Sequence, residues 1–230
     1  MSTILVTGAN RGIGLALAAH YAKRGDHVLA TSRRPEAAAA LERMAKESGR
    51  IEVHTLEVTD EALAARLAQR LASRGIDIVV CNAGVKSASG GIEDRGHDAA
   101  AWSRVLMTNV AGVFFTARAF IPHLEKSDAG KLAILSSGMG SSVQASGGYY
   151  PYRASKAAVA NLALNLAADL KPLGIAVGVY HPGWVKTDMG GAGAPVSPAE
   201  SARGLALRID ALSLATTGVF EDFRGALVPY

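Results

Sequence analysis

The chain has one cysteine in 230 residues. No intrachain disulfide can form, which fits a reducing compartment. Cys81 sits in the apolar run "IDIVVCN", the setting of a buried, inert thiol. No His, Cys or Asp cluster has metal-ligand spacing, so no metal is expected. No stretch reaches ~18 apolar residues free of charge, so no membrane span is expected. The opening "STILVTG" carries no charged leader or cleavage site. A cytoplasmic location follows as the default expectation. Clustered charge is missing too. The net charge is +4, yet no basic run exceeds Arg33-Arg34. A nucleic-acid partner needs a basic face, so none is expected. There is no linker, low-complexity tract or repeat of 20–50 residues, which leaves one domain over 1–230.

What is present is alternation. Short aliphatic runs at 3–7, 27–31, 51–56, 76–82, 131–137, 175–183 and 218–220 read as strands. Helical stretches at 12–24, 35–48, 60–74, 98–125, 152–171 and 198–212 separate them. The strands are apolar rather than alternating, the pattern of a sheet covered on both faces. The expected fold is α/β, a single doubly wound domain with a mainly parallel sheet of six to seven strands.

"LVTGANRGIG" at 5–14 places Gly8, Gly12 and Gly14 between the first strand and the first helix. Small residues there let the backbone turn and approach a pyrophosphate, which the helix N-terminus then attracts. The spacing G-x-x-x-G-x-G is not the usual G-x-G-x-x-G, and the absent GK[ST] ending excludes a P-loop. A ligand-free, glycine-rich turn is the alternative.

"YYPYRASK" at 149–156 offers three tyrosines to one lysine. Pro151 resolves the choice. The residue before a proline leaves the α region and proline favours the first helical turn. The helix therefore begins near Pro151, and Tyr152 is the tyrosine four residues from Lys156 on one face. A free phenol, with a pKa near ~10, is a poor base at neutral pH. A neighbouring ammonium is expected to lower that value and make Tyr152 a general acid/base. "SSGMG" supplies Ser136 and Ser137, which alternation sends to opposite faces, so only one can serve. "MTNVAG" puts Asn109, a modest helix former, in mid-helix.

These segments resemble the short-chain dehydrogenase/reductase family. "TGANRGIG" is similar to its TGxxxGxG signature and "CNAG" at 81–84 to its NNAG, with Cys81 in place of an Asn. "YRASK" is similar to its YxxxK and "HPGWVKTDM" at 181–189 to its PG segment. The segments fall in the family's order and span nearly the whole chain. The ending "GALVPY" and the insertion before Tyr152 resemble a bacterial C-factor-like branch of carbonyl reductases.

The resemblance implies a Rossmann-type fold and a catalytic set of Asn109, Ser137, Tyr152 and Lys156. Ser137 would hold the substrate carbonyl oxygen. Asn109 would hold a water through its backbone, in a proton relay through Lys156. Lys156 would also bond the cofactor ribose. The implied cofactor residues are Gly8, Asn10, Arg11, Gly12, Ile13, Gly14, Ser32, Arg33, Glu57, Val58, Asn82, Ala83, Gly84, Tyr152, Lys156, Pro182, Gly183, Val185 and Thr187. Ser137 and Tyr152 lie two residues farther apart than in the family pattern, so the loop 138–151 departs from it.

The second strand ends in "ATSRRPE". An NAD site places an Asp or Glu there, on the ribose 2′-OH. Here Ser32 precedes Arg33 and Arg34, and a guanidinium fork suits a 2′-phosphate. NADP(H) is therefore favoured over NAD(H). Substrate loops are expected at about 85–98, 138–151 and 184–197. Met139, Tyr149, Tyr150, Trp184 and Met189 would line an apolar pocket, and the glycines of 188–196 mark a mobile lid. His181 is read as structural. The expected activity is NADP(H)-dependent interconversion of a carbonyl and an alcohol on a small-molecule substrate. The alternatives are an NAD(H)-dependent alcohol dehydrogenase and a catalytically idle nucleotide-sensing regulatory protein. A homodimer or homotetramer would fit the Ala/Leu-rich helix at 155–170, which could equally be buried within one subunit.

Overall fold

The computed structural model describes residues 1–230. Its centre is one seven-stranded parallel sheet in the order β3-β2-β1-β4-β5-β6-β7. The strands are β1 Thr3–Val6, β2 His27–Ser32, β3 Ile51–Thr55, β4 Ile78–Cys81, β5 Lys131–Leu135, β6 Ala176–His181 and β7 Val219–Asp222. The helices are α1 Gly12–Arg24, α2 Ala39–Ser48, α3 Glu61–Arg70, α4 Ala99–Leu106, α5 Gly112–Leu124, α6 Tyr150–Leu170 and α7 Pro198–Ala211. The chain starts in the middle of the sheet, winds outward to β3, then returns past β1 to β4. Strand order reverses at that point, and in such sheets ligands sit in the crevice at the strands' C-terminal ends.

Apolar residues divide into two cores, one on each side of the sheet. One contains Leu5, Leu67, Phe120, Leu132, Val159 and Val177. The other contains Ile4, Leu17, Tyr21, Leu41, Tyr180 and Leu205. Neighbouring residues such as Ile4 and Leu5 face opposite layers, as the period of two requires. Every interior strand is therefore apolar at successive positions, which is why the strands lack polar alternation. Cys81 is buried, and burial pushes its thiol up to about 12.

The helix expected over 98–125 is interrupted. Met107–Ala111 forms one π-helical segment between α4 and α5. Such bulges usually mark functional positions. The helical run Ala99–Leu124 is long and apolar enough to cross a membrane, with mean hydropathy 1.4. It is nonetheless a core helix: Val105, Val113, Ala117, Phe120 and Leu124 are buried within the fold. The helix expected at 35–48 is also split, with a short 3₁₀ turn at Pro35–Ala37 before α2.

On α6, Val159, Ala163, Leu166 and Leu170 are buried inside the subunit. These residues join the core cluster on one side of the sheet, and Leu164 is exposed.

Candidate active site

The glycine loop is built for close backbone approach. Gly8 has φ +66° and Gly12 φ +55°, the left-handed region that favours glycine. A Cβ on Gly14 would lie 2.4 Å from Gly8 O and 2.5 Å from Asn82 Nδ2. Asn82 braces the loop by donating from Nδ2 to Thr7 O at 2.8 Å and Gly8 O at 3.1 Å. Thr7, which sequence reasoning missed, is buried, and its Oγ1 accepts from the backbone N of Asn82 and Ala83. Its signal in the sequence was its place as the opening residue of "TGANRGIG", just before Gly8. α1 begins with no side-chain cap and no acid in its first turn, so its N-terminal N–H groups and positive dipole end are free for an anion. Asn10 and Ile13 are half-buried on this loop.

The segment after β6 closes on the same loop. Gly183 has φ +85°, and a Cβ there would meet Phe223 at 2.8 Å. Pro182 O accepts from Ser201 Oγ at 2.7 Å. Thr187 Cγ2 stands 3.2 Å from where a Gly12 Cβ would be. Arg11 pairs with Asp188 at 2.6 Å, both exposed. The expected lid is more firmly tied than its glycines imply. Val185 pairs with Val196 in a parallel bridge, both side chains are buried, and Trp184 Nε1 donates to Gly190 O at 2.7 Å. Trp184 and Met189 remain exposed.

At the end of β2, Ser32 is buried and no carboxylate stands at its position. Arg33 projects into solvent, with Nη1 3.6 Å from Glu57 Oε2. Glu57 Oε1 also accepts from Thr59 N at 3.2 Å. Val58 is buried against Gly112, with no room for a Cβ between them; any adenine contact there would come from its backbone.

Asn109, Ser137, Tyr152 and Lys156 are all buried. Asn109 lies in the π-helical segment, and its side chain is fully engaged. Oδ1 accepts from Val85 N and Nδ2 donates to Val85 O and Ser155 Oγ, each at 2.9 Å. Ser155, which the motifs do not single out, links Asn109 to Tyr152 O through a 2.7 Å bond. The two serines after β5 divide as alternation predicts. Ser136 Oγ donates to Lys156 O at 2.8 Å, whereas Ser137 Oγ accepts from Met139 N at 3.1 Å. Lys156 Nζ donates to Leu135 O at 2.8 Å, and a Cβ on Gly84 would stand 3.8 Å from that ammonium. Ala83 and Gly84 thus connect the glycine loop to the buried lysine.

One expectation is reversed. The ammonium of Lys156 does not pull the Tyr152 phenol down. Burial pushes the phenol above its ordinary value, and hydrogen bonding by Ser137 partly offsets that. Burial also lowers Lys156 to about 8. The geometry explains this: Lys156 Nζ lies 5.7 Å from the Tyr152 ring centroid and bonds a carbonyl instead. Desolvation of both charged forms outweighs their attraction. His181 is half-buried beside Gly138, and burial lowers its pKa.

The expected substrate residues separate. Tyr149 precedes α6 with φ 50° and is the one non-glycine residue in the left-handed region. Tyr150 stacks edge-on to His97 and lines a cavity of about 420 Å³ with Ile92, Trp102, Arg153 and Ala154. Two helical residues turn the chain by about 200°, so Tyr150 faces away from Tyr152. Met139 is held by Arg153, whose Nη1 donates to Met139 O at 3.3 Å.

Comparison with known proteins agrees with this architecture. A family model for short chain dehydrogenase matches residues 2–195. The C-signal protein of Myxococcus xanthus is 35% identical over 156 residues, covering 67% of this chain and 93% of that protein. An NADPH-bound carbonyl reductase from chicken fatty liver superposes with a TM-score of 0.93 at 30% identity, covering 100% of this chain and 99% of the other. The carbonyl reductase Sniffer of D. melanogaster gives 0.94 at 29% identity, with both chains fully covered. The protein belongs to the short-chain dehydrogenase/reductase family. It is an oxidoreductase of the carbonyl/alcohol type.

Proposed function

We propose that the protein is an NADP(H)-dependent reductase that converts a ketone or aldehyde to an alcohol, with Tyr152 as the proton donor. The supporting observation is the joint burial of Ser137, Tyr152 and Lys156 at the C-terminal ends of β4 and β5, beside Gly84 and the braced glycine loop. The glycine cradle fits a dinucleotide: Gly8 and Gly12 hold left-handed backbone turns, and Gly14 lets α1 pack directly on Gly8 O with no room for a Cβ. When bound, the nicotinamide supplies or accepts the hydride.

The chain's own residues do the rest. Gly8, Gly12 and Gly14 admit the pyrophosphate to the α1 N-terminus. Arg33 binds the 2′-phosphate, with Arg11 as a second basic group. Ser137 holds the carbonyl oxygen by hydrogen bond and fixes it at Tyr152. A phenol pushed up by burial is fully protonated at neutral pH, which suits it to donate. Lys156, lowered to about 8, gives up its proton readily, so it can serve as the proton source behind Tyr152, and it would also hold the cofactor ribose. Asn109 fixes the Val85 backbone and the α6 helix through Ser155, which sets the lysine's height.

Fluorescence titration with NADPH and with NADH is the first test. The expected result is tighter NADPH binding. Comparable or tighter NADH binding would turn the assignment toward an NAD(H)-dependent alcohol dehydrogenase. Tyr152→Phe should then lose at least ~100-fold in kcat while still binding NADPH; undiminished turnover would remove Tyr152 from the chemistry.

A further inference from the structure

Lys86 is a cation with no anion. It takes part in no ion pair. Its Nζ stands 4.3 Å from the centroid of the Tyr149 ring, a cation–π contact that fixes the ammonium without neutralising it. Both residues are half-buried. Lys86 is two residues past Gly84, which adjoins Lys156 Nζ and Asn109 Oδ1. Tyr149 is three residues before Tyr152. The pair therefore bridges the loops on either side of the catalytic group.

The loops are locked where they meet. A Cβ on Gly148 would lie 2.9 Å from Ser89 O. His97 Nε2 bonds Gly90 O at 3.0 Å while its ring packs on Tyr150. Tyr149 keeps its left-handed conformation in this junction. Residues held in such regions concentrate at ligand-binding positions.

The surrounding charges leave the ammonium free. Residues 138–152 contain no charged side chain. Asp94 is engaged by Gly90 N and Gly96 N, and Asp98 by Ala101 N. Glu93 is exposed. Arg153, at the start of α6, is committed to Gly147 O, Met139 O and Ser146 Oγ.

We infer that Lys86 is a specificity-determining residue that anchors a carboxylate on the carbonyl substrate. The substrate class is an aldehyde or ketone bearing a carboxylate, and the assignment rests on the reductase reading above. One unpaired ammonium matches one monoanion. The Tyr149 ring supplies the apolar wall beside it.

The test compares 4-carboxybenzaldehyde with methyl 4-formylbenzoate, two aldehydes of nearly equal shape that differ in charge. Each takes a hydride from NADPH and a proton to give the benzyl alcohol and NADP⁺. The expected kcat/KM ratio, acid over ester, is about tenfold for the wild type, the size of a hydrogen bond to a charged group, and lies mainly in KM. Lys86→Met should bring the ratio to about one, Lys86→Arg should keep most of it, and added salt should reduce it. A purely structural Lys86 would lower both substrates together and leave the ratio intact. Ester turnover without acid preference, or a preference that survives in Lys86→Met, overturns the anchor alone. Reduction of neither aldehyde overturns the reductase reading and the anchor together.

Discussion

Lys156 Nζ donates to Leu135 O at 2.8 Å from a buried position, over the face of the Tyr152 ring. A lysine held this way keeps its charge at a cost, and burial lowers its pKa to about 8. The unfolded chain holds the proton to about 10.5. Between these values the unfolded state binds more protons, so stability rises with pH. Below pH 8 the folded protein bears the full cost, about 3 kcal/mol. Tyr152 acts oppositely above pH ~10, because its folded pKa is raised. Urea denaturation of wild type and Lys156→Met should therefore show the wild type gaining on the variant from pH 8 to 10. A constant difference would mean that the lysine is not desolvated as the structure has it.

Arg33 and Glu57 compete with the proposed phosphate contact. Their charges lie 3.6 Å apart, with Arg33 mostly exposed. An exposed pair contributes about 0.2–1 kcal/mol. Removing the carboxylate frees the guanidinium, so Glu57→Gln should tighten NADPH binding by about two- to fivefold. NADH should change much less. Arg33→Ala should weaken NADPH by at least about tenfold. Calorimetric titration of both variants with both cofactors checks this. Equal loss of NADPH and NADH in Arg33→Ala would take the arginine off the 2′-phosphate.

Gly14→Ala tests the cradle. Its Cβ would sit 2.4 Å from Gly8 O, which Asn82 Nδ2 holds in place. Neither neighbour can yield cheaply, and overpacking of this kind costs about 1–3 kcal/mol. Gly193→Ala is the control, because its Cβ would meet nothing within 4 Å. Gly14→Ala should lose NADPH binding and melt at a lower temperature, whereas Gly193→Ala should do neither. A cofactor affinity unaffected by Gly14→Ala would separate the glycine loop from dinucleotide binding.

The fold was legible because buried parallel strands write themselves as uninterrupted aliphatic runs, such as "IDIVVCN". Pro151 marked the start of α6 to within one residue, since its ring constrains both itself and its neighbour. The π-helical segment was not legible. Met107–Ala111 differs from an ordinary helix by one shifted hydrogen bond, which leaves no pattern in residue type. Thr7 and Ser155 were hidden for another reason. Each acts through a hydroxyl on distant backbone or side-chain groups, and only folding brings those partners near. The sign of the Tyr152 shift also needed coordinates, because sequence spacing reports that a lysine is near but not how dry the pair is.

Arg208 and Glu221 form the last relationship with a measurable consequence. Arg208 Nε and Nη2 reach the two carboxylate oxygens of Glu221 at 2.8 and 3.1 Å. The Glu221 side chain is 6% exposed and that of Arg208 37%. The bond ties α7 to the edge strand β7, beside Tyr180, whose hydroxyl is buried without a partner. Truncating one member leaves a buried carboxylate unpaired, which costs about 3 kcal/mol or more when burial is complete. Partial exposure of Arg208 reduces that, so Arg208→Met should lose about 2 kcal/mol. Replacing both should cost less than the sum of the single losses, since the stranded charge is then removed. Urea denaturation of Arg208→Met, Glu221→Met and the double variant gives the coupling directly. Additive losses would show that the fork carries no coupling energy between the two residues.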